Sequence, residues 1–167
     1  AQDAIIMIDA RGDIVHWNPA ATRIFGHARE DMLGRHLHEM LPSPAFRAAA
    51  LAGFEKFKTT GDGPVIGKTV ELAALHKDGH EIPVELSLSA VRRDDGLFAI
   101  GIVRDISQRK QAEAQLLKLA QAVEQSSESI VITNLDAEIE YVNEAFLRTT
   151  GYGREEVIGR NPRVLHS

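Results

Sequence analysis

The side chains able to do chemistry near neutral pH in this 167-residue chain are its seven histidines and several carboxylate pairs; it has no cysteine. Without a thiol there is no disulfide, no thiolate metal site, no cysteine nucleophile and no cysteinyl adduct. His76 and His80 bracket Lys77-Asp78-Gly79, with Asp78 between them. Two imidazoles and a carboxylate are metal-ligand chemistry, but this is a hairpin turn with a solvated tip and few converging groups, so the reading is that the chain has no metal site. His16, His36 and His38 read as surface or structural residues. Glu30-Asp31 and Glu155-Glu156 fall in first helical turns, where carboxylates complement the helix dipole. No phosphate-cradling glycine loop, nucleophile–base pair or phosphoacceptor histidine is present. The expectation is no catalytic residue and no enzyme within these residues.

Composition narrows the partners. A net charge of −5 and a pI near 5.8 leave no basic footprint for nucleic acid. The 44% apolar and 26% charged content is that of a globular chain, with no run long enough for a membrane span. The absence of cysteine fits a cytoplasmic location. The chain opens directly on strand-like residues, Ala4 to Ile8, and reads as a piece of a longer protein.

The elements that would position a site follow from periodicity. I-I-M-I and I-V-H-W flank A-R-G-D, a hairpin with Gly12 at its turn. Asn18-Pro19 opens a helix that stops at Gly26, and Arg29 to Leu33 forms another turn closed by Gly34. Ala45 to Lys58 is a longer helix whose Phe46, Ala50, Phe54 and Phe57 predict one buried face. Then the period becomes two. Val70, Leu72 and Ala74 face inward on one strand and Ile82, Val84, Leu86, Leu88 and Ala90 on the next, with Pro83 marking an edge or irregularity. Phe98, Ile100 and Ile102 complete a third. Trp17 either lines a cavity or lies on the outer sheet face. The order predicts an α+β fold, an antiparallel sheet with short helices on one face.

Val103 to Gln125 is free of Pro and Gly and rich in helix formers. Ser107 is its expected N-cap. Ala112, Leu116, Leu119 and Val123 follow the 4-3-4 spacing of a coiled-coil seam. This connector either packs on its own domain or dimerises in parallel and carries a signal. On both sides of it the sequence repeats at an interval of about 125 residues: Ile14 meets Ile139, Asn18 meets Asn143, Gly26 meets Gly151, and Gly34-Arg35 meets Gly159-Arg160. The second copy holds the first hairpin and short helices only. The expected organisation is a domain over 1–106, a connector over 107–127, and the N-terminal part of a second domain over 128–167.

W-N-P-A-A-T-R-I-F-G-H-A-R-E-D-M-L-G-R, its copy Y-V-N-E-A-F-L-R-T-T-G-Y-G-R-E-E-V-I-G-R, L-H-K-D-G-H-E-I-P-V-E-L-S-L-S and I-V-R-D-I-S-Q-R-K resemble, in order, the motifs of the PAS family. The resemblance implies a five-stranded antiparallel sheet and a sensory module of a histidine kinase or cyclic-di-nucleotide regulator. It also implies a cofactor or small ligand, or a redox cue, held between helices and sheet. Phe54, Phe57, Val70, Leu72, Leu86, Leu88, Ile100 and Ile102 are the candidate pocket, and Asp105 and Ile106 the residues coupling the sheet to the output helix. The alternative is a ligand-free dimerisation spacer. Haem-binding members ligate iron from the long helix, and that position is Ala50; their distal Met or Arg is also missing near Lys68 to Val70. Haem in that mode is therefore not expected. G-R-N-P-R-V-L-H is similar to the flavin motif of light-sensing members, with Pro162 where the reactive cysteine belongs, which excludes the adduct. FAD without an adduct stays open, mainly in the second copy beside Asn161.

Overall fold

Strand β1, Ala4–Ile8, turns Ala4, Ile6 and Ile8 inward and leaves Ile5 and Met7 half-buried, the alternation of a strand with one covered face. It pairs antiparallel with β2, Ile14–Trp17, on one side and with β5, Gly96–Asp105, on the other. β4, Glu81–Arg93, joins β5 to β3, Thr69–Leu75, and closes a five-stranded antiparallel sheet in the order β2-β1-β5-β4-β3. The structure, a computed structural model, describes residues 2–165. Ala1, His166 and Ser167, at the ends of the expected domains, lie outside the described residues.

Between β2 and β3 lie α1 (Pro19–Phe25), α2 (Arg29–Met32), α3 (Leu37–Met40) and α4 (Pro44–Thr60). The caps are local chemistry. Asn18 Oδ1 accepts the Ala21 N–H at 2.9 Å, Pro19 fills the first helical position, and Gly26 ends α1 at φ 76°, a left-handed geometry suited to glycine. Gly61 ends α4 in the same way, at φ 70°. The single turn α3 escapes periodicity, because four residues cannot repeat at the helical period. The core joins Ile6, Ile8 and Ile14 from the first hairpin to Phe25 and Met32, with Phe57 from α4 and Val84 and Val103 from the sheet. Trp17 is 1% exposed and donates from Nε1 to Thr22 Oγ1 at 3.0 Å. It lies against Phe25 at 5.7 Å, so it is a core residue, on neither the cavity wall nor the outer face.

The fold class is as the sequence predicts, but the parity of β5 is corrected. Ala99, Gly101 and Val103 face inward, while Ile100 is half-buried and Ile102 is 45% exposed on the opposite face. Apolar residues occupy both faces of this strand, so alternation alone does not choose between them. The pairing does: Val103, Gly101 and Ala99 lie across from Ala4, Ile6 and Ile8 of β1. A second correction concerns α4, where Phe54 and Phe57 are buried but Phe46 is 40% exposed.

Helix α5 is Ser107–Glu124. The chain divides into two compact units within it, Ala1–Lys110 and Gln111–Ser167. In the second unit, β6 (Val131–Thr133) and β7 (Ile139–Val142) form a hairpin, followed by α6 (Glu144–Thr150), α7 (Arg154–Val157) and a 3-10 turn over Pro162–Leu165. Its core is Ile139, Val142, Phe146 and Val157. Among the described residues no helix is long and apolar enough to cross a membrane.

Candidate functional site: a cavity under the long helix

The first unit encloses a cavity of about 450 Å³ between α4 and the inner face of the sheet. Small residues on both walls make the space. Ala49, Ala50 and Gly53 face it from α4, and Ala99 and Gly101 from β5. A methyl group at Gly101 would already touch Leu86 and Leu88 at 3.4 Å. Around this void stand Phe54, Phe57, Val70, Leu72, Leu86 and Leu88, all expected from the sequence. Ile100 and Ile102, also expected there, are not on the wall, because they point out of the other side of the sheet. Phe46 lines the cavity beside Pro42, and its exposure places it at the margin.

The lining contains no lysine or arginine among the described residues. It does contain His38, which the sequence reading set aside. Its ring stacks on Phe54 at 4.6 Å and lies 5.5 Å from His36. Nδ1 of His38 is buried without a hydrogen-bond partner. Burial, reinforced by His36, pushes His38 down to about 4, so it is a neutral imidazole at physiological pH. His36 packs edge-on to Phe54 at 5.6 Å beneath the first hairpin, where a methyl group at Gly12 would sit 2.6 Å from its Nε2. Ala50 occupies the wall where the PAS resemblance places an iron-binding histidine, and a methyl group offers no lone pair. The residues present do not fit haem in that mode. In the second unit, Asn161 spends its Oδ1 accepting the Arg163 N–H at 3.0 Å, at the start of the 3-10 turn.

The sheet meets α5 at the end of β5. Asp105 Oδ1 accepts the Ser107 N–H at 2.8 Å, so Asp105 rather than Ser107 supplies the expected cap, and Ser107 is the first helical residue. Ile106 is 5% exposed and donates its N–H to Pro83 O at 3.0 Å. The last β4–β5 pair is Val84 with Asp105, so Pro83 stands where the ladder ends and its missing donor costs nothing. A second tie was missed. Glu71 of β3 accepts from Arg109 Nη2 at 2.6 Å and pairs with Lys110 Nζ at 2.8 Å. Those two cations hold the Glu71 carboxyl below its usual range, Lys110 foremost. The signal available was a glutamate alternating with Val70 and Leu72, which turns it to the outer face, and two cations in the first turn of the connector. The expected seam residues are exposed in the single chain, Leu116 at 68% and Leu119 at 56%, with Ala112 also exposed and Val123 half-buried.

A PAS domain family model matches residues 2–108 and 127–167, and the chain belongs to that family. It is 36% identical over 118 residues to an uncharacterized protein of Azorhizobium caulinodans, an alignment covering 71% of this chain and 16% of that protein. It is 26% identical over 160 residues to the oxygen sensor protein DosP of Escherichia coli, covering 96% of this chain and 20% of DosP. Among solved structures, a PAS domain of a protein from Colwellia psychrerythraea superposes with a TM-score of 0.54 at 26% identity, covering 65% of this chain and 89% of that one. The chain thus spans a fifth or less of the length of these two curated relatives. It is a PAS sensory domain, with a second region matched by the same family model.

Proposed function

We propose that the first unit senses an uncharged, largely apolar small molecule in the cavity and reports its presence through α5 to an output domain of a cytoplasmic signalling protein. That output would be a histidine kinase or a cyclic-di-nucleotide regulator. One observation carries the reading: the cavity wall is apolar apart from one neutral imidazole, His38, and Glu71, whose carboxylate is taken up by Arg109 and Lys110, and among the described residues it has no cationic side chain. Such a wall desolvates a charge without compensating it, whereas apolar surface gains about 25 cal/mol per Å² buried. Val70 and Leu72 line the cavity on either side of Glu71, which holds the first turn of α5. A ligand that favours one packing of this strand shifts the balance between two arrangements of that turn. The stripe Ala112, Leu116, Leu119 and Val123 then pairs with a second copy in parallel.

Mass spectrometry of the purified chain, native and after denaturation, tests the ligand; an absorbance spectrum distinguishes haem or flavin. An apolar molecule released from the first unit supports the reading. A Soret band overturns the argument from Ala50, a flavin spectrum points to redox sensing, and no ligand under any growth condition favours a ligand-free dimerisation module. Replacing Leu116 and Leu119 by Glu is expected to convert a dimer to monomer by light scattering; an unchanged mass rules out the seam.

A further inference from the structure

At the tip of the β3–β4 hairpin, His76, Asp78 and His80 bring one ligand atom each within 4.8 Å of one another. His76 Nδ1 stands 3.0 Å from Asp78 Oδ1, and His80 Nδ1 closes on the same oxygen. The two imidazoles stack at 4.6 Å. The turn is held in place: His76 N–H donates to His80 O at 2.9 Å, and Lys77 N–H donates to the Phe25 carbonyl, also at 2.9 Å, at the end of α1. His76 packs so closely on the α1 cap that a methyl group at Gly26 would lie 2.5 Å from its Nε2. Its Nε2 edge is thereby given to packing, and Nδ1 is the nitrogen left facing the carboxylate.

Within its hydrogen bonds the cluster keeps one opposed pair of atoms. His76 Nδ1 faces the Asp78 backbone N–H at 3.2 Å and the Asp78 carboxylate oxygen at 3.0 Å. With a proton on Nδ1 two donors face each other; without one, two lone pairs do. Oδ1 of Asp78 also receives the His80 N–H at 3.1 Å, so it is crowded, while among the described residues Oδ2 has no protein partner. A cation bound to the imidazole nitrogens and the carboxylate lies between those lone pairs and relieves their opposition, in exchange for the long Asp78 N–H contact. Two imidazoles and one carboxylate suit a late first-row divalent ion rather than Mg²⁺ or Ca²⁺, which take oxygen ligands. Three protein ligands leave a further position for water.

We propose that His76, Asp78 and His80 form a binding site for a Zn²⁺-class divalent ion, which braces the hairpin tip on the end of α1. Phe25, whose carbonyl holds Lys77, also lines the cavity, so the ion stiffens one end of that wall. The test is calorimetric titration of Zn²⁺ into the full chain after chelator dialysis, with Co²⁺ absorption as a second readout of nitrogen and oxygen ligation. One saturable site per chain is expected. His80→Ala and Asp78→Asn, side chains 58% and 62% exposed, should keep the wild-type circular dichroism. Each should weaken binding at least about tenfold, and His16→Ala should not change it. Absence of a saturable site, binding that survives His80→Ala, or binding lost in His16→Ala overturns the proposal.

Discussion

The two copies of the first hairpin and its helices are near duplicates in backbone and differ in what completes them. Asn18 and Asn143 adopt φ −86° and −87° and cap α1 and α6. Gly26 and Gly151 both end their helices at φ 76°, and Gly34 and Gly159 lie at 80° and 79°. Gly34 N–H donates to Ile14 O at 2.8 Å, and Gly159 N–H to Ile139 O at the same distance. The core residues change together: buried Trp17 and Ala21 in the first copy become buried Val142 and Phe146 in the second, a large-small pair exchanged for a small-large one of similar total volume. Yet β1 is buried on its inner face, whereas every residue of β6 is exposed. The first copy has β5 beside β1 and a cavity beyond it, and the second has a two-stranded sheet. A hairpin with its caps is thus a self-contained unit of local structure, while an enclosed binding space needs the distant strands.

The comparison breaks most readily at His38, whose counterpart in the repeat is Arg163. A histidine held at about 4 in the fold and near 6.5 when unfolded lets the unfolded state bind more protons between those values. The stabilisation is fully present above pH 6.5 and is lost as pH falls toward 4, by about 3 kcal/mol at most. Denaturant melts of the first unit from pH 7 to 4 should show this fall, and His38→Phe should flatten it; an equal fall in the variant would assign the pH dependence elsewhere.

The two capping asparagines come next. Asn18 accepts from Ile5 N and Ala21 N and donates to Asp3 O. Asn143 accepts from Ile130 N and Phe146 N and donates to Glu128 O and to Val123 O in α5. Replacing either by Ala should cost its own unit about 2 kcal/mol. Only Asn143→Ala should raise hydrogen exchange at the C-terminal end of α5; the same rise from Asn18→Ala would remove the distinction.

Filling the cavity tests the first copy alone. Ala50→Leu places apolar carbon in an apolar void and should stabilise the first unit by about 1–2 kcal/mol while abolishing small-molecule uptake. Destabilisation would show that α4 has no room to spare. The smallest effect is expected at Glu71→Gln, which removes exposed ion pairs. Melting should barely move, but amide protection in the first turn of α5 should fall; unchanged protection would assign the hold on the helix to Asp105, Ile106 and the Arg109–Glu85 pair.

Much of the architecture was legible in the residues themselves. Asn-Pro and the αL glycines act through bonds to neighbours a few positions away, so the caps, the turns and the repeat of about 125 residues are written in local order. So were Val70, Leu72, Leu86 and Leu88 of the cavity wall, because they lie on strands with one polar face. Ile100 and Ile102 were not, since β5 is apolar on both faces and only its register with β1 sets their direction.

By itself, then, the sequence determined the family, the order of the strands, the helical connector and the exclusion of thiol chemistry, all of which rest on residue identity and short-range spacing. Tertiary structure alone decided the parity of β5 and the void between Ala50 and Gly101. It also decided the grip of Glu71 on Arg109 across 38 positions and the meeting of His76 with His80 over one carboxylate. These depend on which distant backbones lie side by side, and strand pairing settles that only when the whole sheet has formed.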